Sequence, residues 1–452
     1  MAWLYFGIII VLVAGLFIFA KRPMYEVMFT AFIFLAVITG NIGEVGRYLL
    51  RASNTMLLFT MMAFTVFAVI FERTGIIEDL INIIVSIVGR FSGGAGYVAL
   101  LASAAMGSFC GTGPGTCAAT GSITIPAMKE TGFSSETAAV ISAAGSTLGP
   151  IIPPSAAIPI MYVMLEAVCP GKYTASEFWM LAWPVSFWLI IQRVITLYIV
   201  VKQHHVEPIP KEKRLSLKTA LIRGWRTLLL PLIIFLPFLF DMLFSNSFIM
   251  DRLGEAGAAH FSTILLVVVP SIGALAVLIL YRCKGEKIDI GVLTSMVADS
   301  ISSVAPIIIM CLSGYAMNEL FADVGITSQL VDSFVGMNLP KWVVALVGPL
   351  FFTVMGMFME TSSVYLLFGP VFIPLAVSVG INPMVAAMQV NVMTNAMGQI
   401  SPPFALSLFV AMGIANSDFK KTSKEAIIWC FTQYIFIVLM LFELLPMFGL
   451  VF

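Results

Sequence analysis

Glu360 is the sole charged residue between Trp342 and Ser417. An ionisable group in so apolar a setting is first a functional candidate, as a ligand for a cation, a proton or the hydroxyls of a substrate. It stands in GMFMETSS (356–363), where glycine and hydroxyl residues interrupt an apolar run. Another interruption, CGTGPGT (110–116), lies in the uncharged stretch from Phe91 to Met128, and two more are GPIIPPS (149–155) and GQISPP (398–403). Glycine permits strained backbone, and proline removes a donor and clashes with the preceding turn, so a helix unwinds at such places and frees carbonyl groups. In lipid each unpaired backbone group costs several kcal/mol, so these breaks persist only where protein, ion or water satisfies them. Carbonyls together with the hydroxyls of Thr112, Thr116, Ser146, Thr147, Thr361, Ser362 and Ser363 make a hard oxygen donor set with little formal charge, which suits Na+. Helix N-termini that start at the breaks suit a carboxylate or another anion. No Arg, Lys or His lies in either interrupted core, so an anionic substrate is expected to be held by helix ends, hydroxyls and neighbouring Na+.

The elements that must position these residues occur twice. After the Ile-Pro that ends at Pro126 come Gly132, the pair Ala138 and Ala139, and then Pro153; after the Ile-Pro that ends at Pro374 come Gly380, Ala386 and Ala387, and then Pro402. The spacings agree up to one residue inserted before the last landmark, as expected for an internal repeat. Each copy reads as a re-entrant hairpin followed by a broken helix: hairpin 96–128 and broken helix 134–166, then hairpin 342–376 and broken helix 382–413. About 13 to 15 residues flank the first tip on each side, which as helix is about 20 Å, too short to cross the hydrocarbon. Lys129 and Glu130, at the base of the first hairpin, read as solvated turn residues.

The 452 residues are 60% hydrophobic and 11% charged, with a mean hydropathy of +1.02, which is the composition of an integral membrane protein. Windows of about 20 apolar residues recur along the whole length, enough for about ten to twelve membrane helices. Lys21 and Arg22 after the first window, Lys202 to Arg226, and Arg282 to Lys287 mark cytoplasmic sides. The net charge of zero gives no pull toward nucleic acid. The histidines, His204, His205 and His260, fall in a basic loop and a polar connection, outside the apolar spans; haem ligation, a zinc protease site or a serine–histidine dyad in the membrane would need one inside. The sequence holds no GxxxxGK[ST] phosphate loop, so ATP is not the expected energy source. Cys110, Cys117, Cys311 and Cys430 read as small apolar residues, and Cys169 and Cys283 have no metal-like spacing.

GTGPGTCAATGSITIPAMKETGF, AAGSTLGPIIPPS, GMFMETSSVYLLFGPVFIPLA and GQISPPFALSLFVAMGI resemble the large membrane subunit of tripartite ATP-independent periplasmic (TRAP) transporters. The resemblance runs over about residues 90–166 and 345–415. It implies an elevator-type, Na+-driven importer of small organic anions, without enzymatic activity. It also implies two partners on separate chains, a periplasmic substrate-binding protein and a small four-helix membrane subunit. The family's Na+ sites, each between a hairpin tip and its unwound helix, fall on Gly111, Thr112, Gly149 and Pro150 and on Gly356, Thr361, Met397 and Gly398. Gly113, Thr147 and Thr394 adjoin them, making sites for two or more Na+ ions. The substrate-facing positions fall on Cys110, Ser155 and Glu360, beside Thr112 and Ser362. The sequence departs from the family pattern at Cys110, often Ser, at Thr361, often Pro, and at Thr394, where an Asn is usual and here is Asn395 next door. A lengthened DRLGEAGAAHFST (251–263) stands where the family has a shorter acidic segment.

The expected fold is therefore all-α and polytopic, with two inverted repeats in a moving transport domain and a static scaffold. Residues 1–72 would be scaffold, 73–168 the first repeat, 169–317 scaffold with the basic loop and a connecting arm, 318–416 the second repeat, and 417–452 a C-terminal scaffold helix in the bacterial inner membrane. A stand-alone divalent-anion/sodium symporter would use the same breaks without a binding protein. An ion channel would need a continuous polar path, and a structural subunit would tolerate loss of Glu360 or Gly113.

Overall fold

The computed structural model describes residues 2–203, 206–286, 288–359, 361–402 and 405–450. Among the described residues the only regular secondary structure is helical. Six helices among the described residues are long and apolar enough to cross a membrane: Ala175–Gln203, Leu217–Phe244, Ala256–Cys283, Ile290–Asp323, Thr361–Ser378 and Phe419–Leu441. A seventh span results if Ile42–Ser53 and Leu58–Arg73, bent by 57° at their junction, are taken as one. The expectation of ten to twelve counted every apolar window as a crossing. Much of that apolar sequence is instead divided among helices of 10–17 residues, such as Gly94–Phe109, Ala157–Val168 and Leu406–Ala415.

Both repeats show the same order of elements. Hairpin 1 consists of Gly94–Cys110 and Gly113–Glu130; hairpin 2 consists of Lys341–Phe358 and Thr361–Ser378. The arms of hairpin 1 have 17 and 18 residues, longer than hydropathy suggested, because the leading arm starts at once after the left-handed Gly93. Broken segment 1 runs from Ser135–Ser146 through a 3-10 turn at Gly149–Ile151 to Ala157–Val168. Broken segment 2 runs from Pro383–Val392 through a π-turn at Met393–Met397 and a 3-10 turn at Gly398–Ile400 to Leu406–Ala415. The inner helices begin at matching caps: Ser134 Oγ accepts from the Thr137 amide at 3.1 Å, and Asn382 Oδ1 accepts from the Met384 amide at 2.9 Å. Lys129, expected to be merely solvated, also donates from Nζ to the Ala415 carbonyl at 3.2 Å, closing the end of Leu406–Ala415.

The inner helices form the centre. Every residue from Thr137 to Ser146 and from Met384 to Val392 is buried. Lipid tails are as apolar as leucine, so close packing rather than burial from water holds these helices together, and the small residues of SETAAVISAAGS permit the approach. The outer helices exchange sides: Leu406–Ala415 packs on the return arm of hairpin 1 and on Ser135–Ser146, whereas Ala157–Val168 packs on Thr361–Ser378 and Pro383–Val392. Ala175–Gln203 and Phe419–Leu441 pack on each other, and Phe419–Leu441 also lies against both inner helices. A peripheral group consists of Met56–Arg73 packed on Met250–Cys283 and Ile290–Asp323, with Met24–Ile38 on the latter. His260 belongs to this group. It was expected in a polar connection, but 251–263 continues the helix Met250–Cys283, with Gly254 at φ 73° absorbing a kink.

Candidate functional site

The two hairpin tips face one cavity of about 320 Å³. Tip 1 contributes Gly111 and Thr112, and tip 2 contributes Thr361 and Ser362; Ala156, Tyr365 and Asn395 complete this polar side. Its lining also includes the apolar Met61, Phe64, Phe109 and Met310. Gly111 turns the chain at φ +70°, a conformation that costs glycine least. Thr112 is extended and precedes the return arm without a side-chain cap bond, so the first-turn amides of that arm have no hydroxyl cap.

Behind each tip two glycines cross. A Cβ on Gly149 would lie 2.2 Å from Gly107 Cα, and one on Gly398 would lie 3.0 Å from Gly356 Cα. Leading arm and break therefore touch backbone to backbone in both halves, which brings the break within reach of the tip. Gly113, Thr147 and Ser407 meet at tip 1: a Cβ on Gly113 would lie 2.7 Å from Ser407 Oγ and 3.6 Å from Thr147 Cγ2. Ser407 is fully buried, and its hydroxyl has no hydrogen-bond partner among the described residues. In the second half, the Thr394 hydroxyl donates to Val390 O at 2.8 Å and keeps its lone pairs.

A profile of the family described as "Tripartite ATP-independent periplasmic transporter, DctM component" matches residues 4–446. The chain belongs to this family. Its relatives include the C4-dicarboxylate TRAP transporter large permease protein DctM of Pseudomonas aeruginosa, 26% identical over 81% of this chain and 79% of that protein. Another is the sialic acid TRAP transporter large permease protein SiaM of Vibrio cholerae, 22% identical over 96% and 95%. Among solved structures, the Alcanivorax borkumensis YdaH transporter superposes with a TM-score of 0.65 at 14% identity, over 90% of this chain and 88% of that one. That likeness is one of fold. The protein is thus a TRAP large permease, a multi-pass protein of the inner membrane whose relatives are transporters rather than enzymes.

The site residues expected from sequence fall into four groups. Gly111, Thr112, Thr361 and Ser362 line the cavity. Gly113, Thr147, Gly149, Pro150, Gly356, Thr394, Met397 and Gly398 lie behind it at the breaks. Ser155 serves locally, its buried Oγ accepting the Ala157 amide at 3.2 Å to start Ala157–Val168, while its neighbour Ala156 faces the cavity. Glu360 and the side chain of Cys110 lie outside the described residues.

Around the breaks the structure brings in residues whose contacts sequence reasoning did not foresee. Arg193, in the middle of Ala175–Gln203, is fully buried and donates from Nη2 to the Ala396 carbonyl in the π-turn at 2.6 Å. Its guanidinium lies 5.7 Å from the Trp429 ring, and Nε and Nη1 have no partner among the described residues. The signal was visible, because Arg193 is the sole charge between Glu177 and Lys202. Asn391, Asn395 and Tyr365 form a buried network. Tyr365 Oη donates to Asn391 Oδ1 at 2.7 Å, Asn395 Nδ2 donates to the same oxygen at 2.8 Å and also to Tyr365 Oη, and Asn391 Nδ2 donates to Pro150 O at 3.0 Å.

Proposed function

We propose that this chain is the permease of a sodium-driven importer that takes a small organic anion, a carboxylate, a sialic acid or a sulfonate, from a periplasmic binding protein. The observation that carries this reading is the cavity, whose walls come from both hairpin tips and from the peripheral helices that hold Met61 and Met310. A substrate there touches two bodies that can slide past each other. Gly111, Thr112 and Gly113 with Thr147, Gly149 and Pro150 would hold one Na+, and Gly356 and Thr361 with Thr394, Met397 and Gly398 another. Thr112, Ser362 and Glu360 would face the anion, beside the first-turn amides of the return arms. Sliding without Na+ would carry uncompensated carbonyls through an apolar environment, which supplies a physical reason for coupling.

The moving body comprises both hairpins and both broken segments. In this reading Ala175–Gln203 and Phe419–Leu441 move with it, which is supported by the Arg193 hydrogen bond to the second break and by the packing of both helices on the inner ones. The division at 169 and 417 had assigned them to the scaffold. The peripheral helices, with the small four-helix subunit beside them, form the static frame. The test is uptake of labelled candidate anions into proteoliposomes that hold this chain and its small subunit. The expected uptake requires an inward Na+ gradient and the binding protein. Uptake that needs no binding protein would favour a stand-alone symporter, and uptake indifferent to Na+ would remove the sodium assignment.

A further inference from the structure

We propose that Asn391 is the positioning residue that couples the two sodium sites, linking the carbonyl of Pro150 in the first half to the cavity-facing Tyr365 and Asn395 in the second. The inference rests on the sodium-coupled reading above. Its basis is the connectivity of one fully buried amide. On its acceptor side Asn391 Oδ1 receives both Tyr365 Oη and Asn395 Nδ2, which occupies its two lone pairs. On its donor side Nδ2 reaches Pro150 O across 241 residues of sequence.

The chemistry of the carbonyl makes this link a coupling. Pro150 O has two lone pairs; one accepts Asn391, and the other remains for a cation. A cation on that oxygen polarises the carbonyl and orients the Asn391 amide. Asn391 then fixes the positions of Asn395 and Tyr365 beside the cavity and the π-turn, where the second ion would lie. In a buried low-dielectric network such hydrogen bonds reinforce one another, and disturbance at one end is felt at the other. Linkage is reciprocal, so filling the second site would equally tighten the first. Leucine at 391 would preserve the volume and remove both functions of the amide.

The experiment uses the purified full-length chain in detergent and Na+ alone as the probe, with choline replacing Na+ at constant ionic strength. Intrinsic tryptophan fluorescence at constant temperature is titrated with Na+ for the wild type, Asn391→Leu and Tyr365→Phe, with thermal unfolding as the check that each variant is folded. The wild type should show a sigmoidal binding curve with a Hill coefficient above about 1, bounded by the number of sites. Asn391→Leu should bring it to about 1 and raise the half-saturating Na+ concentration roughly tenfold, an effect a merely structural residue would not have on cooperativity. Tyr365→Phe, which deletes one hydroxyl and folds under milder demands, should lower the coefficient in the same direction and serves if the leucine variant fails to fold. A wild-type coefficient above about 1 that is unchanged in the folded variants overturns the coupling while leaving the sodium sites in place. A hyperbolic wild-type response does the same. A wild type that does not respond to Na+ overturns the sodium reading itself, before any variant is considered.

Discussion

Gly149→Ala tests the backbone crossing that sets tip against break. The added Cβ would lie 2.2 Å from Gly107 Cα and 2.3 Å from the Gly107 carbonyl carbon, both backbone atoms that cannot rotate aside. Carbon atoms prefer separations of about 3.5 Å or more, so hairpin 1 and broken segment 1 must part by about 1.3 Å. Overpacking typically costs about 1–3 kcal/mol, and a backbone clash belongs at the upper end. If that strain falls on the state with tip and break closed around an ion, about 3 kcal/mol lowers its population on the order of 100-fold. Gly398→Ala meets Gly356 Cα at 3.0 Å, a milder conflict, which should cost about 1 kcal/mol and roughly fivefold. Gly413→Ala has nothing within 4 Å and gains about 0.5–1 kcal/mol of helix propensity, so its activity should remain. Initial uptake rates in proteoliposomes, normalised to inserted protein, should therefore fall in the order Gly413→Ala, Gly398→Ala, Gly149→Ala. Gly149→Ala transporting as well as Gly413→Ala, or a reversed order, would refute the reasoning.

Arg193→Met should leave the melting temperature within a few degrees, because apolar replacement of a buried charge is often neutral, yet reduce uptake by about tenfold through loss of the grip on Ala396 O; Arg193→Lys should not rescue it, since an ammonium lacks the planar fork. Ser362→Ala removes a cavity hydroxyl. If that hydroxyl binds the anion, the substrate KM should rise about tenfold or more while kcat is retained, because hydrogen bonds to charged groups contribute about 1.5–3 kcal/mol. For Ser407→Ala the half-saturating Na+ concentration in uptake should rise several-fold, with the fold unchanged by circular dichroism; an unaltered Na+ response would remove Ser407 from the first site.

How much of this was legible depended on whether a residue's partner lay nearby in sequence. The four breaks were readable because proline and glycine act on their own turns, and the caps at Ser134 and Asn382 follow from local chemistry of the same kind. Gly107 carried no such mark, unlike Gly356 at the start of GMFMETSS: a glycine in a small-residue apolar helix looks alike whether it faces lipid or another backbone. Asn391 and Pro150 meet across 241 residues, and no local pattern encodes that. Ser407 follows its break, where attention to the proline run passed over it. Arg193 differs, since its isolation in an apolar span was plain and only its target was hidden. The span count differs from the number of long apolar helices for a physical reason: hydropathy measures affinity for lipid or protein interior without distinguishing a full crossing from half of one.

The exchange of outer helices also sets a timetable for the newly made chain. Hairpin 1 is complete by Glu130, yet its return arm, already packed on Gly94–Cys110 and Ser135–Ser146, gains its last neighbour only from Leu406–Ala415. Until those residues leave the ribosome, the face of Gly113 that meets Ser407 has no permanent neighbour and must be tolerated by lipid or by the insertion machinery. Closing so long a loop is slow compared with forming a local hairpin. The last helices to be inserted are therefore the ones that finish the first half of the molecule, and a nascent chain that stops short of them holds a first site with one wall missing.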